Sequence, residues 1–143
     1  MKRRILALIA LVLLMTSLLV LPANATETPS NENTTISPRY VNIALFTASI
    51  NVNSSGKASC YSFVETANTS HTIYLKIELQ RYKDGYWSSI KSWTGSGTGE
   101  VTMDKSWYVT SGYYYRTAAT ATVYTSSGSY VETVSIHSQS DYY

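Results

Sequence analysis

From residue 46 onward, apolar and polar side chains alternate. Phe46, Ala48, Ile50 and Val52 are separated by Thr47, Ser49 and Asn51. Ala58, Cys60, Ser62 and Val64 share one side of a second segment, opposite Lys57, Ser59, Tyr61, Phe63 and Glu65. The third segment is the clearest, with Ile73, Leu75, Ile77 and Leu79 alternating with Tyr74, Lys76, Glu78 and Gln80. A period of two sends successive side chains to opposite faces of a strand. Each segment therefore predicts a strand with one face buried and one in water. A helix needs a stripe of apolar residues three and four apart, which strict alternation does not supply.

Turn signals fall between these segments. Asn53-Ser54-Ser55-Gly56 and Ser126-Ser127-Gly128 are short polar runs ending in glycine. Lys83-Asp84-Gly85-Tyr86 places Asp-Gly between two alternating runs, the signature of a type I′ hairpin whose central residues need positive φ. The fourth strand is thus expected over about Tyr86 to Trp93, paired with the third; if it is regular, Trp87 and Trp93 share a side, one in the core and the other capping the sheet edge. Gly95-Ser96-Gly97-Thr98-Gly99 reads as a flexible connection. It is no dinucleotide fingerprint, because Glu100 stands where G-x-G-x-x-G needs its last glycine and no helix follows to supply a dipole. A short fifth strand is expected around Glu100 to Met103. The sixth spans about Tyr113 to Tyr124, with Tyr115, Thr117, Ala119, Ala121 and Val123 on one face. The last spans about Tyr130 to Ile136, with Val134 and Ile136 in the core. Seven short strands in this length predict an all-β fold, a two-sheet antiparallel β-sandwich.

The stretch Val109-Thr110-Ser111-Gly112-Tyr113-Tyr114-Tyr115 leads into the sixth strand. An apolar residue, glycine three later and tyrosine six later resembles the E–F corner of fibronectin type III and related immunoglobulin-like domains. The resemblance implies that Tyr115 is a structural corner tyrosine whose hydroxyl bonds back to the upstream backbone. Ser111 departs from the proline usual there, and Tyr113 or Tyr114 takes the role if the register slips. The chain also resembles a group of small secreted single-domain proteins of Gram-positive bacteria whose function is unassigned. The matching elements are the leader, Ser55-Gly56-Lys57-Ala58-Ser59-Cys60, Leu79-Gln80-Arg81, Ile90-Lys91-Ser92-Trp93, Tyr108-Val109-Thr110-Ser111-Gly112-Tyr113 and Ala121-Thr122-Val123-Tyr124. This resemblance implies an immunoglobulin-like β-sandwich and an extracellular location. It implies no activity and no site residues.

The N-terminal end has a different character. Lys2-Arg3-Arg4 precedes an apolar run from Ile5 to Leu21, then Pro22 and the small-x-small site Ala23-Asn24-Ala25. These parts, in this order, predict a signal peptide over residues 1–25, cleaved between Ala25 and Thr26. The rival reading is a retained anchor, but the run's 17 residues are at the low edge of what crosses a bilayer. Residues 26–38 hold Pro29, Pro38 and one apolar residue, Ile36. They bury too little to fold and read as a flexible polar linker. Residues 39–143 form the expected sandwich.

Charge then narrows the partners. The chain carries 11 basic and 9 acidic residues. Without the three basic residues of the leader it is close to −1, so no polybasic surface exists for nucleic acid or anionic membrane. Asn33, Asn53 and Asn68 stand in N-x-[ST] sequences, which arise readily by chance in a chain so rich in Ser and Thr.

Catalytic and metal chemistry find little support. One cysteine excludes an intramolecular disulfide and a Cys-based zinc site. Cys60, beside Ala58 and Val64, is expected as a buried structural thiol. His71 and His137 lack ligand spacing and are expected in solvent. Glu78 with Glu132 is the candidate carboxylate pair for a glycosidase, read more readily as two solubilising charges. No G-x-S-x-G elbow singles out a nucleophile. Asp84, Asp104 and Asp141 are isolated, so no calcium loop is indicated. The expected protein is not an enzyme and has no cofactor and no metal.

The aromatic content is the suggestive feature. The chain has 13 Tyr and 3 Trp, more than a core of this size needs. Alternation points Tyr74, Tyr82, Tyr114 and Tyr124 outward, with Arg116, Lys76 and Glu78 beside them. Such a face offers rigid amphipathic area for sugar rings or a protein. The competing reading is that cross-strand aromatic pairs stabilise the sheet, each by about 0.2–1 kcal/mol. Trp107 is expected near the crossover before the sixth strand. Together these features predict a secreted, non-enzymatic extracellular binding module for a glycan or an extracellular protein, with Tyr74, Tyr82, Tyr114, Arg116 and Tyr124 as its contact set. It is expected as a monomer with at most weak self-association, free of nucleic acid and of the membrane after leader cleavage. The alternatives are a secreted antibacterial or toxin-like protein and a surface-assembly subunit joined through edge strands.

Overall fold

A computed structural model describes residues 40–143, so the leader and the linker lie outside the described residues. Eight strands follow one another: β1 (Ile43–Val52), β2 (Lys57–Thr66), β3 (Thr72–Lys83), β4 (Tyr86–Thr98), β5 (Glu100–Tyr108), β6 (Tyr114–Tyr124), β7 (Tyr130–His137) and β8 (Asp141–Tyr142). They form two antiparallel sheets. One has the order β1-β2-β5; the other has the order β4-β3-β6-β7, with β8 also paired to β6. β8 takes up Tyr114 and Tyr115 of β6 where β7 has ended. The protein is an all-β sandwich, and among the described residues there is no helix.

The period-two pattern fixes which face each strand buries. Ala58, Cys60, Ser62 and Val64 of β2 are fully buried, as are Ile73, Leu75, Ile77 and Leu79 of β3. Tyr115, Thr117, Ala119, Ala121 and Val123 of β6 meet them from the second sheet, with Val134 and Ile136 of β7 alongside. Two of the buried hydroxyls reach a backbone carbonyl of β1. Ser62 Oγ donates to Thr47 O at 2.8 Å, and Thr117 Oγ1 donates to Ser49 O at 2.9 Å. A buried hydroxyl without a partner would be destabilising, so these bonds make polar core positions tolerable. The Asp84-Gly85 turn has φ of 53° and 86°, the left-handed values a type I′ hairpin requires.

Tyr115 is completely buried at the start of β6, and its hydroxyl donates to Thr110 O at 2.5 Å. This ties the β5–β6 crossover to the strand that follows it. Burial pushes the phenol's pKa upward, which keeps the hydroxyl protonated as a donor. The crossover is held from outside as well. Val109 N donates to Gly56 O at 2.8 Å, and Gly112 N and Tyr113 N both donate to Tyr143 O.

Several expectations need correction. The segment Gly95–Gly99 is not a loose connection. Residues Gly95 to Thr98 continue β4, pairing with Leu75, Tyr74, Ile73 and Thr72 of β3, and the turn into β5 is Gly99 alone. The glycines are there because backbone passes close by. A Cβ on Gly97 would lie 2.6 Å from Glu100 O, and Gly99 has φ of 79° with Thr69 O 2.9 Å from its Cβ position. β5 also extends to Tyr108, since its partner β2 offers a full-length edge from Lys57 to Glu65. An eighth strand, β8, adds to the seven expected.

Trp87 and Trp93 do not share a side. Lys91 pairs with Leu79 but Ser89 pairs with Gln80, so Ile90 is an extra residue in β4. This bulge reverses the alternation. Trp87 then sits opposite outward Tyr82, and Trp93 opposite inward Ile77. Trp107 lies near the crossover as expected, at the end of β5; it is half-exposed with the Lys91 ammonium over its ring at 4.3 Å.

Candidate functional site: the outer face of the five-stranded sheet

Every side chain expected to point outward from β3 and β6 does so on one continuous surface. The register is direct. Tyr82 lies opposite Tyr114, Gln80 opposite Arg116, Glu78 opposite Ala118, Lys76 opposite Thr120, and Thr72 opposite Tyr124. β4 adds Trp87, Ser92, Thr94, Ser96 and Thr98 along one flank. β7 adds Tyr130, Thr133, Ser135 and His137 along the other.

The structure divides the five candidate contact residues into two groups. Tyr74 and Tyr124 meet at one end of the face, their rings edge to face with centroids 5.6 Å apart. Tyr130 continues the row, its ring 6.0 Å from Tyr124. Tyr74 is 56% exposed and Tyr130 62% exposed, so much of this aromatic area is in water. Beside it lies an open groove of about 380 Å³, lined by Thr72, Tyr74, Tyr124, Thr125, Ser126 and Gly128. Hydroxyls and a glycine turn thus surround two aromatic rings.

Tyr82, Tyr114 and Arg116 gather at the other end, about 26 Å along β3 at roughly 3.3 Å per residue. Tyr82 packs on Trp87 at 5.2 Å, and Tyr114 on Tyr142 at 5.0 Å. The Arg116 guanidinium lies over the Trp87 ring at 4.3 Å, while its Nε donates to Gln80 Oε1 at 2.9 Å. Here the rings are engaged with each other and with the cation, so this end is more a packed cluster than an open surface.

Between the two ends, most side chains are short: Ser92, Thr94, Ala118, Thr120, Thr122, Thr133 and Ser135. Thr120 Oγ1 and Ser135 Oγ are 2.8 Å apart, and Thr133 Oγ1 donates to Thr122 Oγ1 at 3.0 Å. Lys76 and Glu78 neutralise each other at 2.8 Å. Burial, and secondarily Arg116, push the His137 pKa below its usual value, so that imidazole is neutral at pH 7. The middle of the face is therefore hydroxylated, and its one ion pair is internally neutral.

Some of these residues escaped the sequence reading, for different reasons. Trp87 is fixed opposite Tyr82 by the two-residue Asp84-Gly85 turn, so its face was readable from the hairpin once the fourth strand was not assumed regular. Tyr130 follows the Ser126-Ser127-Gly128 turn and pairs with Tyr124 across it. Tyr142 had no local signal, because β8 is two residues long and is defined by its partner.

The remaining chemistry-bearing residues are dispersed. Glu78 points outward, whereas Glu132 turns to the sandwich edge and accepts hydrogen bonds from Asn42 N and Ile43 N at 2.9 Å. The two carboxylates are on opposite faces and form no pair. His71 is not in solvent. It is 8% exposed, and its Nδ1 makes no hydrogen bond. The Cys60 thiol is fully buried, and desolvation pushes its pKa up, which leaves little thiolate. Among the described residues, no three His, Cys, Asp or Glu side chains group closely enough to hold a metal ion.

No protein-family model matches the chain, and no curated protein matches it.

Proposed function

We propose that this is a secreted, non-enzymatic extracellular binding module of immunoglobulin-like type that takes glycans on the outer face of its five-stranded sheet. One observation carries the reading: the groove at Tyr74 and Tyr124, where an exposed ring and a half-buried one stand among Thr72, Thr125 and Ser126. A sugar ring presents apolar C–H faces and a rim of hydroxyls. Exposed tyrosine faces match the first, and neighbouring hydroxyls match the second. The uncharged lining of the groove favours neutral saccharides over acidic ones. The immunoglobulin-like assignment is supported by the strand order and by the Tyr115–Thr110 bond at the crossover. The signal-peptide pattern at residues 1–25 supports export.

The test is retention of the chain from Thr26 on insoluble cell wall and on a panel of polysaccharides. The Tyr74→Ser/Tyr124→Ser variant runs beside the wild type. Binding by the wild type and its loss in a folded variant is the expected result. Equal retention of both proteins overturns the assignment of the site. Failure of the wild type to bind any matrix overturns the glycan reading.

A further inference from the structure

Edge strands carry unpaired N–H and C=O groups, and proteins usually blunt them with charge, bulges or covering elements. Three of the four sheet edges here are treated in that way. β1 is capped at both ends by carboxylates, Glu132 of β7 at Ile43 and Asp141 of β8 at Val52. β7 carries Glu132, and β5 carries Glu100, Asp104 and Lys105. β4 differs between its halves. Its first half holds the Ile90 bulge and inward-turned Lys91, both of which obstruct pairing. Its second half, Ser92-Trp93-Thr94-Gly95-Ser96-Gly97-Thr98, is regular and holds no charge, no proline and no bulge.

We propose that this half of β4 pairs antiparallel with the same segment of a second copy about a two-fold axis at Gly95, so that two five-stranded sheets join into one. The sequence around Gly95 is complementary to itself. Ser92 falls opposite the second copy's Thr98, and Thr94 opposite its Ser96, so the outer face meets only small hydroxylated side chains. On the inner face each Trp93 falls opposite a glycine, Gly97, where no side chain competes for the space. An axis at Trp93 would set the two indoles against each other. An axis at Gly97 would run the pairing past the Gly99 turn. The register at Gly95 uses the whole uncharged stretch and stops short of Lys91. A two-fold contact of this kind closes on itself, so it ends at two copies.

The test is sedimentation equilibrium of the chain from Thr26, from micromolar to millimolar concentration. The wild type should pass from the mass of one copy to that of two and stop there. Ser92→Lys/Thr98→Lys opposes like charges across the axis at both ends and should keep the mass of one copy throughout. Ser92→Lys/Thr98→Glu opposes unlike charges at the same positions and should restore the two-copy mass. Both sites are exposed, and the second variant controls for any effect of the first on folding. The proposal is overturned by a wild type that stays single, by growth beyond two copies, or by variants that associate alike.

Discussion

The two long sides of the sandwich are closed by different means. On the β1 side, carboxylates span the gap between sheets. Glu132 of β7 accepts from Asn42 N and Ile43 N, and Asp141 of β8 accepts from Val52 N at 2.6 Å. The contacts Ile43–Glu132 and Val52–Asp141 have the same sequence separation of 89 residues. β1 therefore runs parallel to the β7–β8 edge, and two acids stand in for the ladder that backbone would otherwise make. A polar cleft of about 330 Å³ remains between the two bridges, lined by residues such as Ser49, Ser138 and Asp141. On the β4–β5 side the strands are joined by Gly99 and brought together by glycines. A Cβ on Gly95 would lie 3.4 Å from Met103 Sδ, and one on Gly97 would overlap Glu100 O. Among the described residues, no side chain hydrogen-bonds the outward backbone of β4 between Ser92 and Thr98. The difference shows that one fold can protect an edge by capping its donors or leave it available by thinning its side chains.

The largest test of this contrast is Glu132→Ala. It removes one charged acceptor from two donors, and hydrogen bonds to charged groups are worth about 1.5–3 kcal/mol each. With water able to reach this edge in part, a loss of about 3 kcal/mol is expected from the urea midpoint. Glu132→Gln keeps an acceptor oxygen and should lose less than half as much. A loss under about 1 kcal/mol for the alanine variant would mean that β1 is held by packing and not by its carboxylate caps.

Gly97→Ala tests the opposite side and should cost somewhat less, about 2 kcal/mol, because backbone must shift to admit the methyl group. Gly85→Ala provides the comparison. Nothing lies within 4 Å of its Cβ position, so only its left-handed φ of 86° opposes the change. Equal losses at the two glycines would show that conformation, not close approach, sets the glycine content of this side.

The two sides also differed in what the sequence disclosed. Faces were legible wherever alternation was regular: every inward residue named for β2, β3 and β6 is buried. The Asp84-Gly85 turn and the outward set Tyr74, Tyr82, Tyr114 and Tyr124 follow from the same period. The β4–β5 side was misread because glycine is ordinarily a turn signal. Gly95 and Gly97 are strand residues whose reason is a neighbour distant in sequence, which local pattern does not encode. The bulge at Ile90 was hidden for a similar reason, since one extra residue leaves composition unchanged while reversing every face beyond it. The split of the aromatic set into an open groove and a packed cluster was also invisible. It depends on Trp87, Tyr130 and Tyr142 arriving from three other strands.

The smallest effect tests how Lys91 guards the open side. Its ammonium covers Trp107, which is 46% exposed, and an exposed cation–π contact is worth about 0.5–1 kcal/mol. Lys91→Ala should therefore lower stability by about 0.5 kcal/mol, a sixth of the Glu132 effect. Its more telling consequence lies in association. Removing an inward-turned charge from an edge removes an obstacle to pairing, so the variant should dimerise more strongly than the wild type in the same sedimentation experiment. Lys91→Arg keeps the charge and the stacking and should change neither quantity. A variant that lost stability without gaining association would assign Lys91 to the packing of Trp107 alone, and the edge from Ser92 to Thr98 would then be limited by the Ile90 bulge instead.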